Sequence, residues 1–473
     1  MTVANTDVAE TSEPADLQSV VDERDADMRV DAAVEKIMAD KQIPGIALAV
    51  IQDGKLIKTK GYGMLDRELN VRTRPSSVFP IASMSKPLTA AGIMLLVQDG
   101  KIDLDVPIST YLEGTPPAWK EMTVRHLLTH TAGLSESIYN RDNSKLLTAE
   151  GFLSQAIAAP LDFQPGASWM YSNTGYGLAA VVIENVSGQP FVEFMKSRIF
   201  EPLDMGHTDA LRASYVFSNR AMGYASSHSG RSVEPIDFSF RLLPRVMPSL
   251  FGAGSVTSTV LDMARWEIAM QKGKLLTPEI QAEMQRPVVM NSDRTFHYGL
   301  GWLIGQANGH LMVSHGGNLY GYSTSIARFP EDELTVIVLT NKDDQQGDDI
   351  AKKIAEQYVP ALAVDRNAPA IADPNPALTR QLLSYVNGNE AAIPQTSEWK
   401  ILLTTPRGES IHARFAKDIP AGKVQSLELI SQTAHTNGQR YQYRAVMRNH
   451  SRLINTVITP EGMIAVIGAV SED

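Results

Sequence analysis

Residues 79–97 read FPIASMSKPLTAAGIMLLV, and the fold turns on why Ser83-Met84-Ser85-Lys86 stands at the mouth of so apolar a run. LTAAGIMLLV is apolar nearly all round, the pattern of a helix buried on every side. Pro87 suits a first helical turn, where a missing N–H costs nothing, and Gly100 supplies a C-terminal stop. Ser83 and Lys86 then share one helix face. A serine at a helix N-terminus has a free backbone N–H and feels the positive end of the dipole, both useful to an oxyanion. A desolvated lysine one turn on has its pKa pushed from about 10.4 towards neutrality, and a neutral amine can take a serine's proton. The competing reading makes Ser83 a plain helix cap and lets Lys86 snorkel to water. The same spacing recurs at Ser397-Glu398-Trp399-Lys400. That copy opens a run expected to be a strand, and is read as chance.

Partner motifs separate the two readings. In penicillin-recognising enzymes Ser-x-x-Lys is accompanied by Ser-Asp-Asn and by Lys-Thr-Gly. Here ASWMYSNTGYGLAAVVIENVSG (167–188) carries Tyr171-Ser172-Asn173 at the entry to an apolar helix. A second Tyr-x-Asn, Tyr385-Val386-Asn387, falls inside a predicted tail helix and has no partner in the right order. The third element should be a short strand. His315-Gly316-Gly317 lies between the strand patterns HLMVSH (310–315) and YSTSIARF (322–329). His228-Ser229-Gly230 and His297-Tyr298-Gly299 also match His-x-Gly but lack strands on both sides. Gly316 and Gly317 are expected to let a substrate lie against the backbone edge.

With these motifs in order, residues 30 to 362 resemble the penicillin-binding-protein-like serine hydrolases of the class C β-lactamase superfamily. Those include class C β-lactamases, D-alanyl-D-alanine carboxypeptidases and β-lactamase-like esterases. The phrases TVRHLLTHTAGL (123–134), FGAGSVTSTVLDMARW (251–266), YGLGW (298–302) and HGGNLYGYST (315–324) agree. The resemblance implies that Ser83 attacks a carbonyl and becomes acylated, with Lys86 and Tyr171 sharing the proton work. It implies that Asn173 bonds the substrate's amide and that the backbone N–H groups of Ser83 and Asn318 form the oxyanion hole. Water then hydrolyses the acyl-enzyme. His315 stands where β-lactamases usually carry lysine, so it would offer a substrate carboxylate only a partial charge at neutral pH. Peptide or ester hydrolysis therefore stands ahead of β-lactamase activity, and Asn173 tilts the reading towards amides. A carboxylesterase or weak β-lactamase of the same fold is the alternative. A non-catalytic binder or sensor of cell-wall peptides is the alternative of another class, and the intact Ser83, Lys86 and Tyr171 argue against it.

The implied fold is α+β: an antiparallel sheet flanked by helices with an inserted helical subdomain, followed by a small C-terminal α+β domain. VDAAVEKIMADKQ reads as a first helix. GIALAVIQDGKLIKTKGYGML reads as a hairpin turning at Asp53-Gly54. Helical signals fill residues 83 to 205, and strands return at HLMVSH, YSTSIARF and LTVIVLTN (334–341), followed by the helix DIAKKIAEQYV. Strands from both ends can pair in one sheet. The expected division is a flexible acidic arm over 1–28, a hydrolase domain over 29–362, a Pro/Ala/Asp-rich linker over 363–377, and a helix with a strand meander over 378–473. Strands are expected there at KILLTT, SIHARFA, SLELIS, RYQYRAVM, INTVIT and MIAVIGAV.

Composition narrows function further. The net charge of −10 argues against a nucleic-acid or anionic-membrane partner, which needs a basic face. With no cysteine, disulfides, zinc-thiolate sites and cysteine nucleophiles are excluded. His126 and His130 lie one turn apart, but no third ligand accompanies them, so backbone bonding is expected and no metal or other cofactor is implied. Tyr298, Trp302, Tyr320 and Tyr322 fit cleft lining and sheet packing equally. No apolar run reaches a membrane span. The N-terminus lacks the basic start and apolar middle of a secretory signal, so the chain reads as cytoplasmic, or as periplasmic or secreted if a leader has been removed. The expected partner is a small-molecule or peptide substrate; the oligomeric state is left open.

Overall fold

A computed structural model describes residues 14–140, 148–210, 219–227, 232–236, 251–343, 347–365, 367–403, 412–413, 415–435 and 437–470. His228-Ser229-Gly230 lies outside them. Helix α1 spans Pro14–Lys41, strand β1 Gly45–Gln52, β2 Lys55–Asp66 and β3 Val71–Arg72. Helices α2, Ser85–Gln98, α3, Asn173–Ser187, and α4, Val260–Gln271, belong to the middle of the chain. Strands β4 Leu303–Ala307, β5 His310–Leu319, β6 Tyr322–Phe329 and β7 Leu334–Thr340 precede helix α5, Gly347–Tyr358.

One sheet gathers both ends of this region in the order β4-β5-β6-β7-β1-β2-β3. The pairing expected between the termini is β1 against β7, antiparallel, from Ile46↔Thr340 to Gln52↔Leu334. The hairpin turn sits at Asp53 and Gly54, with φ of 51° and 67°, the paired left-handed conformations that a tight two-residue turn needs. Strand β1 is apolar and buried from Gly45 to Ile51 because the sheet is covered on both faces. Ile46, Leu48 and Val50 join Val336, Val338, Val34 and Ile354 on one side, beneath α1 and α5. Ala47, Ala49 and Ile51 join Ile337 and Leu339 on the other, against the helical subdomain. Every residue of α2 from Ser85 to Leu96 is buried, as its all-round apolar pattern predicts.

Two expectations need correction. The chain is helical from Pro14, about fifteen positions before Arg29, so the arm expected to be flexible over 1–28 is part of α1 from there on. Its acidic residues near the sheet are ion-pair partners rather than a solvated run. Lys58 Nζ lies 3.0 Å from Asp31 and 3.2 Å from Asp27, and Tyr62 Oη donates to Asp31 at 2.7 Å. KILLTT and SIHARFA, expected as strands, are helical where they are described: Ser397–Leu403 is a helix, as are the described residues of SIHARFA.

Beyond Leu362, helix α6 covers Pro376–Val386 and α7 Ser397–Leu403. Strands β8 Val424–His435, β9 Gly438–Met447, β10 Ser451–Ile458 and β11 Ile464–Ala469 form a meander in sequential order. They enclose their own core, with Leu382, Trp399, Tyr443, Ala445 and Ile464 buried together.

Candidate active site

Three segments meet at the N-terminal end of α2. Ser83 occupies a 3₁₀ turn, Ala82–Met84, just before the helix. Ala82 has φ of 49°, a left-handed conformation that L residues avoid and that persists only where neighbours over-determine it. The buried Ser85 does so: its Oγ donates to Ala82 O at 2.7 Å and accepts from the Val256 N–H at 3.1 Å. The Thr324 hydroxyl donates to Ile81 O at 2.9 Å. The turn that carries Ser83 is thus clamped from Val256 and from the sheet.

Lys86 is fully buried. Its Nζ lies 3.1 Å from Ser83 Oγ, 2.9 Å from Asn173 Oδ1 and 2.8 Å from Ala253 O. The faces of Tyr171 and Tyr176 approach it, with centroids at 4.6 and 5.5 Å. Burial pushes its ammonium down to about 7, against an upward pull from the Glu136 carboxylate. Tyr171 and Asn173 are delivered by the start of α3. Ser172 is its N-cap and accepts from the Gly175 N–H; Glu136 Oε1 accepts from Ser172 Oγ at 2.8 Å and from the Thr174 N–H at 2.9 Å.

His315 is buried within β5, which runs on through Gly316, Gly317 and Asn318 and pairs with β6. Its Nδ1 donates to Gly316 O at 2.7 Å, and its Nε2 pairs with Tyr298 Oη at 2.9 Å. Both ring nitrogens are thus engaged within the protein. The glycines also have a reason within the protein to lack a side chain. A Cβ on Gly317 would lie 2.2 Å from Ile81 O and 2.5 Å from Thr324 Oγ1, and one on Gly316 would lie 3.1 Å from Asp348 Oδ1. The close approach is the protein's own Ser83-bearing turn against β5. Gly317→Ala is therefore expected to lower stability by about 2–4 kcal/mol or to push the turn out of place. Thermal melting together with active-site titration tests this, and a wild-type melting temperature with full titration would disprove it.

His130 was legible only as one of a pair of imidazoles. The pair does not form a ligand set: His126 Nδ1 accepts from the Thr123 N–H in a capping box, and His130 Nδ1 accepts from the Ser172 N–H at 3.0 Å. The His130 ring packs on Tyr171 at 4.4 Å and Tyr298 at 4.6 Å, and its own φ is 64°. His130, Glu136 and Tyr298 support the site; the place of His130 in TVRHLLTHTAGL and of Tyr298 in YGLGW hinted at it, and nothing in the sequence pointed to Glu136. Among the aromatic residues, Tyr298 touches the site. Trp302 packs on the Arg328 guanidinium at 3.9 Å, Tyr322 donates to Ala221 O, and Tyr320 is 57% exposed.

The serine-lysine pair, the tyrosine at a helix entry and the glycine strand lie together at the N-terminal end of α2, and a family model described as Beta-lactamase matches residues 30–359. The chain belongs to the Beta-lactamase family. It is a penicillin-binding-protein-like serine hydrolase. It is 30% identical to "Penicillin-binding protein 4*" of Bacillus subtilis over 377 residues, 76% of this chain and 82% of that relative. The structure of a D-amino acid amidase from Ochrobactrum anthropi SV3 is similar with a TM-score of 0.61 and 25% identity, over 72% of this chain and all of that one. An octameric penicillin-binding protein homologue from Pyrococcus abyssi shares the fold over 94% of this chain and 99% of its own, at TM-score 0.61 and 20% identity. The second Ser-x-x-Lys lies outside the matched residues, on helix α7 rather than the expected strand, with Ser397 and Lys400 exposed. No described helix is long and apolar enough to cross a membrane.

Proposed function

We propose that the protein hydrolyses the amide bond of a small amino-acid or peptide substrate through an acyl-enzyme on Ser83. The observation that carries this is the set of partners around Lys86. An amine has two N–H groups and one lone pair. Asn173 Oδ1 and Ala253 O can only accept, so they take both N–H groups. The lone pair is left for the Ser83 hydroxyl, 3.1 Å away. The site thus suits a neutral lysine acting as general base.

In this reading Ser83 Oγ attacks the carbonyl carbon as its proton passes to Lys86. Tyr171, packed on Lys86, passes a proton to the leaving nitrogen and recovers one from Lys86, so the serine's proton ends on the departing amine. The Ser83 and Asn318 N–H groups receive the developing oxyanion, and Asn173, its oxygen held by Lys86, presents its amide nitrogen to the substrate. The C–N bond breaks, and water then cleaves the ester on Ser83. The relatives support an amide substrate: one similar structure is titled a D-amino acid amidase, another a D-stereospecific amidohydrolase from Streptomyces, at 26% identity and TM-score 0.56. We further propose that 29–362 is the hydrolase domain and 378–473 a separate domain, joined by 363–377.

Turnover of D- and L-phenylalanine amide, p-nitrophenyl butyrate and nitrocefin by the full chain tests the substrate class. The expected order places an amide first, with nitrocefin slowest. An ester-only profile would favour the esterase reading. Absence of any covalent adduct on Ser83 after fluorophosphonate treatment would favour a binder.

A further inference from the structure

The C-terminal meander touches the hydrolase region next to the site. The β8–β9 hairpin tip reaches the short strand Thr295–Phe296. Asn437 Nδ2 donates to Thr295 O at 2.8 Å, and the His435 ring lies 4.5 Å from the His297 ring. The Asn437 N–H in turn donates to His435 Nδ1 at 3.2 Å. Lower on β9, Arg440 Nη1 donates to Gln306 Oε1 of edge strand β4 at 2.5 Å. Burial pushes the His435 imidazole down to about 4 and lowers that of His297, with the nearby Arg440 guanidinium acting in the same direction. The ring contact is therefore uncharged at neutral pH.

The segment held by this tip leads straight into the site. Phe296 stacks on Trp169 with centroids 3.8 Å apart and planes at 15°, and Trp169 stands two residues before Tyr171. Two residues beyond Phe296, Tyr298 Oη meets His315 Nε2 at 2.9 Å and its ring packs on His130. His130 in turn holds the Ser172 N–H and packs on Tyr171. Segment 295–298 is therefore a bridge, with the hairpin tip on one side and the support of Tyr171 and His315 on the other.

We propose that the β8–β9 hairpin tip is a positioning element of the active site: Asn437 and His435 fix segment 295–298, which sets the Trp169–Phe296 wall and the Tyr298–His315 contact beside the catalytic groups. This rests on the hydrolase reading above for its kinetic consequence but not for its geometry. A wall set from another part of the chain governs how a substrate's side chain is held more than the bond-breaking step. Its loosening should therefore raise KM for a bulky substrate before it lowers kcat.

The test uses the full chain with Asn437→Asp, which replaces the donor by an acceptor of the same size, and with His435→Ala as an independent variant. Amide hydrogen exchange is read over 288–304 and 165–172, alongside KM and kcat for D-phenylalanine amide and for p-nitrophenyl butyrate. The expected result is faster exchange in both segments at an intact overall melting transition. KM for the aromatic amide should rise about 5–20-fold while its kcat and the small ester change no more than about 2–3-fold. Exchange altered only at 435–440, with KM for both substrates unchanged, would overturn the proposal and make the C-terminal meander a passive appendage. If the wild-type chain shows no turnover and no acylation of Ser83, the hydrolase reading fails, and the exchange data alone decide whether the tip orders segment 295–298.

Discussion

Replacing Ser83 with alanine is expected to lower kcat for the preferred amide by about 10⁴–10⁶-fold while the melting temperature stays within about 2 °C of wild type. The size of the loss follows from chemistry: without Oγ there is no acyl-enzyme, and only transition-state binding by the remaining groups persists. The small effect on folding follows from position. Ser83 is partly exposed, and the strained turn it sits in is held by Ser85, Thr324 and Val256, not by its own hydroxyl. Lys86 keeps its two carbonyl partners in the variant, and water can replace the lost hydroxyl. Kinetics combined with mass spectrometry after fluorophosphonate treatment gives the decision. Wild type should carry a single adduct on the peptide containing Ser83, and the variant none. Retention of more than a tenth of the activity, or an adduct on Ser397, would refute the assignment of the nucleophile.

The central sheet was legible because its strands announce themselves twice, by β-rich apolar composition and by turn residues such as Asp53-Gly54 whose positive φ nothing else accommodates easily. The start of α1 was hidden because Asp25 and Asp27, read alone, look like part of a solvated acidic run; the partners of Asp27, Lys58 and Tyr358, lie far along the chain. KILLTT went astray for a known physical reason. A short apolar run buries equally well as helix or strand, and only the sheet it might join decides. At the site, Ser83, Lys86, Tyr171 and Asn173 could be found because the chemistry demands a fixed local spacing in each motif. His130, Glu136 and Tyr298 act through contacts between motifs, and no local spacing encodes them. The same holds for Gly317, whose need for a bare Cα comes from the Ile81 carbonyl, far away in sequence.

Lys86→Met is expected to abolish turnover, by about 10³–10⁵-fold at pH 8, and at the same time to make the fold more resistant to unfolding at pH 6. The two effects share one cause. Burial brings the folded-state pKa of Lys86 from 10.5 down to about 7. Between those values the unfolded chain holds a proton that the native chain has released. The unfolded state therefore binds more protons, so wild-type stability rises with pH from about 7 to 10.5, by about 1.4 kcal/mol per unit from this one group. Below pH 7 the native site must contain a desolvated ammonium, and the full penalty applies. Methionine fills much the same volume without a charge, so its advantage should be greatest near pH 6 and shrink steadily towards pH 10. Activity of the wild type gives the complementary readout. Only the neutral amine accepts the serine proton, so kcat/KM should fall about tenfold per unit below pH 7 and level off above it. Melting curves of both chains from pH 6 to 10, with kcat/KM profiles of the wild type from pH 5.5 to 9, separate the outcomes. A flat activity profile, or a stability difference independent of pH, would mean that Lys86 stays charged throughout and that the base lies elsewhere, with the Tyr171 phenol next to be tested.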